Sequence, residues 1–411
     1  MEKKTPTRIL YVSWQAGMGH ITRDVAIARE LRHLDPGLEI AWLAHPLAAK
    51  TLQQAGETLL PESALSADYN EVGRQALEGF KLNLMTYVSV SQKANEHNVA
   101  LFKQVISKHP FDLVIGDESY EVIGAMQTGG VTLPYPMVLI EDFVAMKAMT
   151  LNPLEQIGIY RGNRNLVKEI SQMAQHVTRL FVGEPEDIPD RRMGFRLPNQ
   201  RAFAKKHYHF LGHIIRFNPA DYADKARLRL RLGYGCGPLL VCATGGTRAG
   251  AEMLALCGQA YPLLKRELPD LHMLCVCGEL YGGEPPQLPP EVEFHNLLPD
   301  IYEHYAASDM AVVVGGGTTT IELTALRVPF IFFPLEKQFD QQYIADRQAH
   351  LGAGIEMRYY RTTPQALAQT VLAHLGKPVN WKPVSIDGAQ KAARLINGIL
   401  VDKNRRMVAG V

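Results

Sequence analysis

Gly17-Met18-Gly19-His20 lies two residues beyond the apolar run RILYVSW and opens the helical text ITRDVAIARELRHL. An imidazole at a strand-to-helix corner sits at the positive end of the helix. That position favours the neutral ring and suits a general base. Such a base takes the proton of a hydroxyl as its oxygen attacks an electrophile. The plainer alternative is a helix-terminus histidine without a chemical role. Two more glycine corners follow in the second half. LLVCAT runs into Gly245-Gly246-Thr247-Arg248, and MAVVV runs into Gly315-Gly316-Gly317-Thr318-Thr319-Thr320 before IELTAL. Glycine lets main-chain N–H groups approach an anion, and the free N–H groups of a helix N-terminus favour negative charge. The threonines add hydroxyl donors. One such corner is only a sharp turn, but two at strand ends in one half point to a phosphate or diphosphate ligand.

Neither corner is a P-loop, because no Lys-Ser/Thr pair follows the glycines. QAGMGHITR carries G-x-G but lacks the third glycine of a dinucleotide fingerprint. Glu322 lies one turn into the helix after the triple glycine. It is placed to accept hydroxyls of a ribose beside the phosphate, or simply to complement the helix N-terminus. Asp340, Gln341 and Gln342 open a helix after PFIFFP. They read either as an N-cap with solvated amides or as a row of groups facing a sugar ring.

The segment GGGTTTIELTALRVPFIFFPLEKQFDQQYIA resembles the donor-binding region of GT-B-fold glycosyltransferases of families 1 and 28. That group includes the N-acetylglucosaminyltransferase of peptidoglycan lipid-intermediate synthesis. The resemblance implies that Glu322 holds the ribose and that Gly316, Gly317, Thr318 and Thr319 cradle the diphosphate. It implies that Asp340, Gln341 and Gln342 contact the donor sugar. Gly245, Gly246 and Thr247 resemble the second phosphate loop, and NLLPD at 296–300, with Leu298, resembles the base-reading segment. GMGHITRDVAIARE resembles the family's G-x-G-H opening, with Gly17 and Gly19 facing the cleft and His20 as the base. Asp117, closing DLVIGD, is placed like the family aspartate that pairs with this histidine, with Glu118 and Asp142 as competitors. Arg23 is a candidate for phosphate, an acidic acceptor or a surface ion pair. Two departures stand out. Many relatives carry His or Arg just before the glycine turn, where this chain has Val314 and Gly315, so Arg248 is the substitute candidate. The G-x-P of the family is Arg327-Val328-Pro329 here.

Strands must position these corners. RILYVSW, LEIAWLAH, DLVIGD, PMVLIEDF and TRLFVGE in the first half, and PLLVCATG, HMLCVCG, VEFHNL, DMAVVVGG and PFIFFPL in the second, are apolar throughout. That is the mark of parallel strands buried on both faces. Helical text falls between them at 19–34, 46–56, 118–127, 249–266, 300–307, 318–326, 339–351 and 364–375. The expected fold class is α/β, with two Rossmann-like doubly wound domains, and the resemblance implies their GT-B arrangement with a cleft between them. The expected divisions are 1–217 on the acceptor side, 236–385 for the donor, and 386–411 as a C-terminal helix and tail, with a candidate crossing back to the first domain. The helix is expected to end near 401. Residues 66–108 and 145–177 read as helical insertions that shape an acceptor pocket, and 190–209 as a basic solvated loop.

The chain of 411 residues is 46% hydrophobic and 21% charged, with a net charge of +1, which gives no reason to expect a nucleic-acid partner. Its five cysteines, an odd number, read as reduced core or near-core thiols rather than a disulfide framework. No targeting segment or membrane-length apolar run stands out, so the expected location is cytoplasmic. Segments 66–108 and 190–209 are candidate surfaces for peripheral membrane contact. No D-x-D closes a strand, and neither a metal nor a resident cofactor is expected. The leading expectation is an inverting, metal-independent hexosyltransferase using a nucleoside diphosphate sugar, expected to be a UDP-sugar. A same-fold nucleotide-sugar hydrolase and a non-catalytic nucleotide-sugar-binding protein are the alternatives. Lipid, glycan, small-metabolite and peptide acceptors all fit.

Overall fold

The computed structural model describes residues 6–13, 18–245, 250–278 and 286–409, with side chains to 403. Gly17, Gly246, Thr247 and Arg248 therefore lie outside the described residues. The described residues form two six-stranded, all-parallel sheets.

The first lobe holds β1 (Arg8–Ser13), β2 (Glu39–Ala44), β3 (Leu113–Asp117), β4 (Met137–Glu141), β5 (Val177–Phe181) and β6 (His209–Phe210) in the order β2-β1-β3-β4-β5-β6. The second holds β7 (Leu239–Ala243), β8 (His272–Val276), β9 (Glu293–His295), β10 (Met310–Val314), β11 (Phe330–Phe333) and β12 (Ile355–Glu356) in the order β12-β11-β10-β7-β8-β9. Central strands such as β3, β7 and β10 are buried at every residue, as their unbroken apolar text requires. Each fully buried Val, Leu or Ile there contributes about 1.5–3 kcal/mol of transfer free energy.

The chain reverses direction across each sheet between the paired strands β1/β3 and β7/β10. Ligands of open α/β sheets bind at such reversal points, beyond the carboxyl ends of the strands. The four loops that leave these strands are the ones carrying His20, Asp117, Gly245 and Gly316.

Seven helices matter to the site. They are α1 (Gly19–Leu34), α2 (Tyr69–Ala76), α3 (Leu84–Lys108), α4 (Pro153–Met173), α5 (Gly317–Leu326), α6 (Phe339–Leu351) and α7 (Gly388–Ala409). The expected helical insertion at 66–108 is α2 and α3. The one at 145–177 is α4, preceded by an irregular stretch. Four details differ from the sequence reading. The short strands β6 and β12 are additional. The segment 190–209 contains a helix, Gln200–His207, whose Phe203 and Ala204 are buried. Helix α7 runs on to Ala409 rather than ending near 401. Cys236 is exposed, while the other four cysteines are buried.

The lobes are joined twice. Residues 211–217 lead out of the first lobe, and the chain returns at 385–388 into α7. These crossings bond to each other, His213 N–H donating to Ser385 C=O (2.8 Å) and Gly388 N–H to His213 C=O (3.1 Å). Ala389, Ala392, Ala393 and Ile396 of α7 then pack into the first-lobe core beside Ile21, Val25 and Ala28 of α1.

A third link comes from the loop between α2 and α3. Its Phe80 is fully buried in the second-lobe core, stacked on Tyr359 at 4.9 Å between centroids. Main-chain bonds Leu82 N–H to Glu336 C=O (3.0 Å) and Glu336 N–H to Phe80 C=O (3.1 Å) fasten it there.

Candidate active site

Between the lobes lies a cleft of about 1090 Å³. Of the expected site residues, Gly19, His20, Gly245, Leu298, Gly316, Gly317, Thr318, Thr319, Glu322, Asp340 and Gln341 all line it. Asp117 and Gln342 do not.

His20 is the second residue of α1, just after β1. Its Nδ1 lies 3.0 Å from Asp117 Oδ2 at the end of β3. A carboxylate accepts, so Nδ1 carries the proton and Nε2 is left as the acceptor. Asp117 is fully buried behind the imidazole. Arg23, one turn along α1, grips the same carboxylate, Nε donating to Oδ2 at 3.0 Å and Nη2 to Oδ1. Burial alone would raise the Asp117 carboxyl, but Arg23 and then His20 hold it well below the usual range. Arg23 is buried, not a surface cation or a free phosphate ligand; its Nη1 also reaches Asp142 Oδ2 at 3.2 Å. Behind it, the Tyr11 hydroxyl donates to buried Asp24 (2.9 Å), pinning α1 to β1.

Glu118 and Asp142 form a second acidic pair beside the first. Glu118 has φ 48°, a left-handed conformation that ordinary side chains rarely adopt. Burial and then the neighbouring Asp142 push its carboxyl well up, the direction that favours a proton shared with Asp142. Asp142 stays ionised because that hydrogen bond and Arg23 outweigh its own burial. Asp117 is therefore the carboxylate that orients His20, and Glu118 and Asp142 pair with each other.

On the second lobe, α5 starts at Gly317 with Gly316 as N-cap, has no side-chain cap and carries no acid in its first turn. Helix α1 likewise begins without a side-chain cap or a first-turn acid. Both leave first-turn N–H groups for an outside partner, the condition for anion binding. The two N-termini meet, since a β-carbon on Gly19 would lie 2.9 Å from Thr318 Oγ1. Gly245, leaving β7, has φ 81° and so needs glycine.

Glu322 is buried on α5, and Arg216 Nε donates to its Oε1 at 3.2 Å. Burial raises this carboxyl and Arg216 opposes the rise. Arg216 also lies 4.8 Å above the Tyr302 ring, which stacks on Phe217. Sequence reasoning missed Arg216. The only local signal was a lone cation ending the apolar GHII of the linker.

Asp340 opens α6 and accepts from Gln338 Nε2 at 2.9 Å, with burial and Asp142 pushing its carboxyl up to about 6. The charge on Asp142 thus reaches Asp340 across the cleft. Gln341 reaches the cleft, but its Oε1 accepts from Leu335 N–H (3.3 Å), tying α6 to the end of β11. Gln342 turns away, with its amide between Asp346 (2.9 Å) and Arg358 (3.1 Å). First-lobe aromatic side chains form part of the remaining wall. Tyr69 and Tyr87 come from the 66–108 insertion, and Tyr120 and Phe143 from loops after β3 and β4. Among the described residues, no group of three or more His, Cys, Asp or Glu side chains is arranged to hold a metal ion. None of the helices among them is long and apolar enough to cross a membrane.

Known proteins resemble this chain in sequence and in fold. Residues 240–397 match the glycosyltransferase family 28 C-terminal domain. The fold is shared with the glycotransferase of kitacinnamycin (TM-score 0.59, 16% identity, 98% of each chain). It is shared also with SnogD from Streptomyces nogalater (TM-score 0.56, 16% identity, 98% of this chain and 99% of that one). Fold and domain match together define a GT-B glycosyltransferase. More particularly, the chain resembles the peptidoglycan lipid-intermediate N-acetylglucosaminyltransferase group. It is 25% identical over 376 residues, 88% of each chain, to the UDP-N-acetylglucosamine–N-acetylmuramyl-(pentapeptide) pyrophosphoryl-undecaprenol N-acetylglucosamine transferase of Streptomyces collinus. A 100-residue stretch is 30% identical to an uncharacterized glycosyltransferase of Methanosarcina acetivorans, covering 24% of this chain and 26% of that one.

Proposed function

We propose that the protein transfers a sugar from a UDP-sugar to an acceptor hydroxyl, with inversion at the anomeric carbon and His20 as general base. One observation carries the reading. His20, its Nδ1 turned to Asp117, shares a single cleft with the uncapped α5 N-terminus and Glu322. A base on one side of a space and an anion cradle on the other is what in-line displacement from a diphosphate needs. The acceptor oxygen bonds to the anomeric carbon as the carbon–oxygen bond to the β-phosphate breaks. His20 Nε2 takes the acceptor's proton, and Asp117 holds the ring and its growing positive charge.

In this reading, main-chain N–H groups of Gly316, Gly317, Thr318 and Thr319, with the Gly245–Thr247 loop, bind the diphosphate, and no metal is required. Glu322 accepts the ribose hydroxyls, Leu298 lies against the base, and Asp340 meets the donor sugar. Gln341 serves chiefly to hold α6, and Gln342 has no part in the cleft. The name of the Streptomyces relative makes UDP-N-acetylglucosamine the first donor to test and a lipid-linked diphosphate the first acceptor. Exposed Leu151, Leu154 and Phe195, with Arg192 and Arg196 close in sequence to Phe195, make the face around α4 the candidate for peripheral membrane contact.

The test is product analysis with UDP-sugars, with and without acceptors. The expected result is acceptor-dependent UDP release, an inverted anomeric configuration and a fall of about 10²–10⁴-fold in H20N. Free sugar released without acceptor would favour a hydrolase. Tight UDP binding with no turnover would favour a non-catalytic binding protein.

A further inference from the structure

The turn before α5 lacks a cation of its own, because the residues preceding the diphosphate cradle are Val314 and Gly315. Helix α6 brings one to that place from outside. Arg347 shares a helix face with Asp340 and Ile344, at i, i+4 and i+7, and all three line the cleft. Its Nη2 donates to the carbonyl of Gly317, the first residue of α5, at 3.3 Å. A β-carbon on Gly317 would sit 3.9 Å from the same nitrogen. Its Nε is buried with no hydrogen-bond partner.

This is a poor place for a cation on its own. Burial disfavours the charged guanidinium, and Asp187 and Asp142 offset that only in part. His213, which lies 3.4 Å from Asp187, is pushed towards its neutral form by burial and by Arg347 itself, so it does not compete with Arg347 as a second cation beside Asp187. The α5 N-terminus presents a further positive potential. An incoming anion offsets this unfavourable balance. It gives the free Nε–H an acceptor, neutralises the buried charge and completes the first turn of α5.

We propose that Arg347 is the side-chain cation for the departing diphosphate, contacting its phosphate oxygens opposite the α5 main chain. The assignment rests on the donor reading above and adds to it the residue that takes up the new charge. As the bond from the anomeric carbon to the β-phosphate oxygen breaks, its electron pair stays on that oxygen. Arg347 offsets the added negative charge there while His20 takes the acceptor's proton.

The test is calorimetric titration of the full-length wild type, R347Q and R347K with uridine, UMP and UDP, together with their unliganded melting temperatures. The expected result is a wild-type preference for UDP over UMP. R347Q should weaken UDP by about 10–100-fold while leaving uridine within about threefold, and R347K should recover part of the loss. The R347Q melting temperature should stay level or rise, since a buried uncompensated charge is removed. UDP affinity unchanged in R347Q overturns the assignment alone. So does an equal loss for uridine and UDP with a lowered melting temperature, which would mark Arg347 as a tether between lobes. A wild type that binds no uridine nucleotide overturns the donor reading, and this assignment with it.

Discussion

Gly19 at the start of α1 and Thr318 in the first turn of α5 are van der Waals neighbours across the cleft, and only the absence of a side chain on Gly19 lets them be so. The contact brings two uncapped helix N-termini from different lobes to one point, where their partial charges add. In G19A the new methyl forces Thr318 to rotate or the lobes to part. Turnover should fall by about tenfold, because a displacement of an ångström or less at a reacting centre carries costs of that order. Thermal stability should change little, and G19A/T318A should recover much of the loss. A G19A enzyme with wild-type rate would show that the contact is not part of the working geometry.

Asp117 serves two partners at once, the buried Arg23 and the partly exposed His20, and its removal should separate stability from catalysis. D117N leaves Arg23 buried without its main carboxylate, at a cost of about 3 kcal/mol, and loosens the His20 ring. H20N leaves the Arg23 pair intact and should change stability by less than about 0.5 kcal/mol, while lowering turnover by about 10²–10⁴-fold. The pH dependence has a definite sign. Asp117 titrates lower in the folded than in the unfolded chain, whose reference value is 3.8, so its contribution is fully present above that value. It is lost only as pH falls through the lower folded value. The difference in unfolding free energy between wild type and D117N should therefore be flat from pH 7 to about 4 and shrink in stronger acid. A difference that already fades near neutrality would contradict the charge assignment.

Phe80 belongs to the first lobe in sequence and to the second lobe in packing. F80A should cost about 3–5 kcal/mol if the loop stays docked, since a large fully buried ring is lost. If the loop releases instead, the lobes lose a link across the cleft, and calorimetry should resolve two melting transitions where the wild type shows one. A single transition at the wild-type temperature would mean that Phe80 holds nothing together.

The text of the chain carried the frame of this site well. Unbroken apolar runs such as MAVVV and DLVIGD have to be buried parallel strands, and the residues just after them have to face the cleft. His20 and Gly316 were legible for that reason, and Asp117 as the residue that closes DLVIGD. The edge strands His209–Phe210 and Ile355–Glu356 were not, because two residues have no periodicity. Arg23 stayed open between phosphate, an acidic acceptor and a surface ion pair because its partner Asp117 is 94 positions away. Arg347 lay hidden in the polar text after Asp340, where only the turn of the helix shows that residue 347 shares its face. Gln342 fails for the complementary reason, since two positions beyond Asp340 a helix has turned its side chain away.

The central claim is that the second lobe holds a nucleoside diphosphate, its phosphates on the α5 N-terminus and its ribose on Glu322. Isothermal titration of the wild type and E322Q with UDP tests it most directly. The account predicts saturable one-to-one binding by the wild type and at least about tenfold weaker binding by E322Q, the worth of a hydrogen bond to a charged group. Absence of binding to any nucleoside diphosphate, or identical affinities for the two proteins, would contradict it.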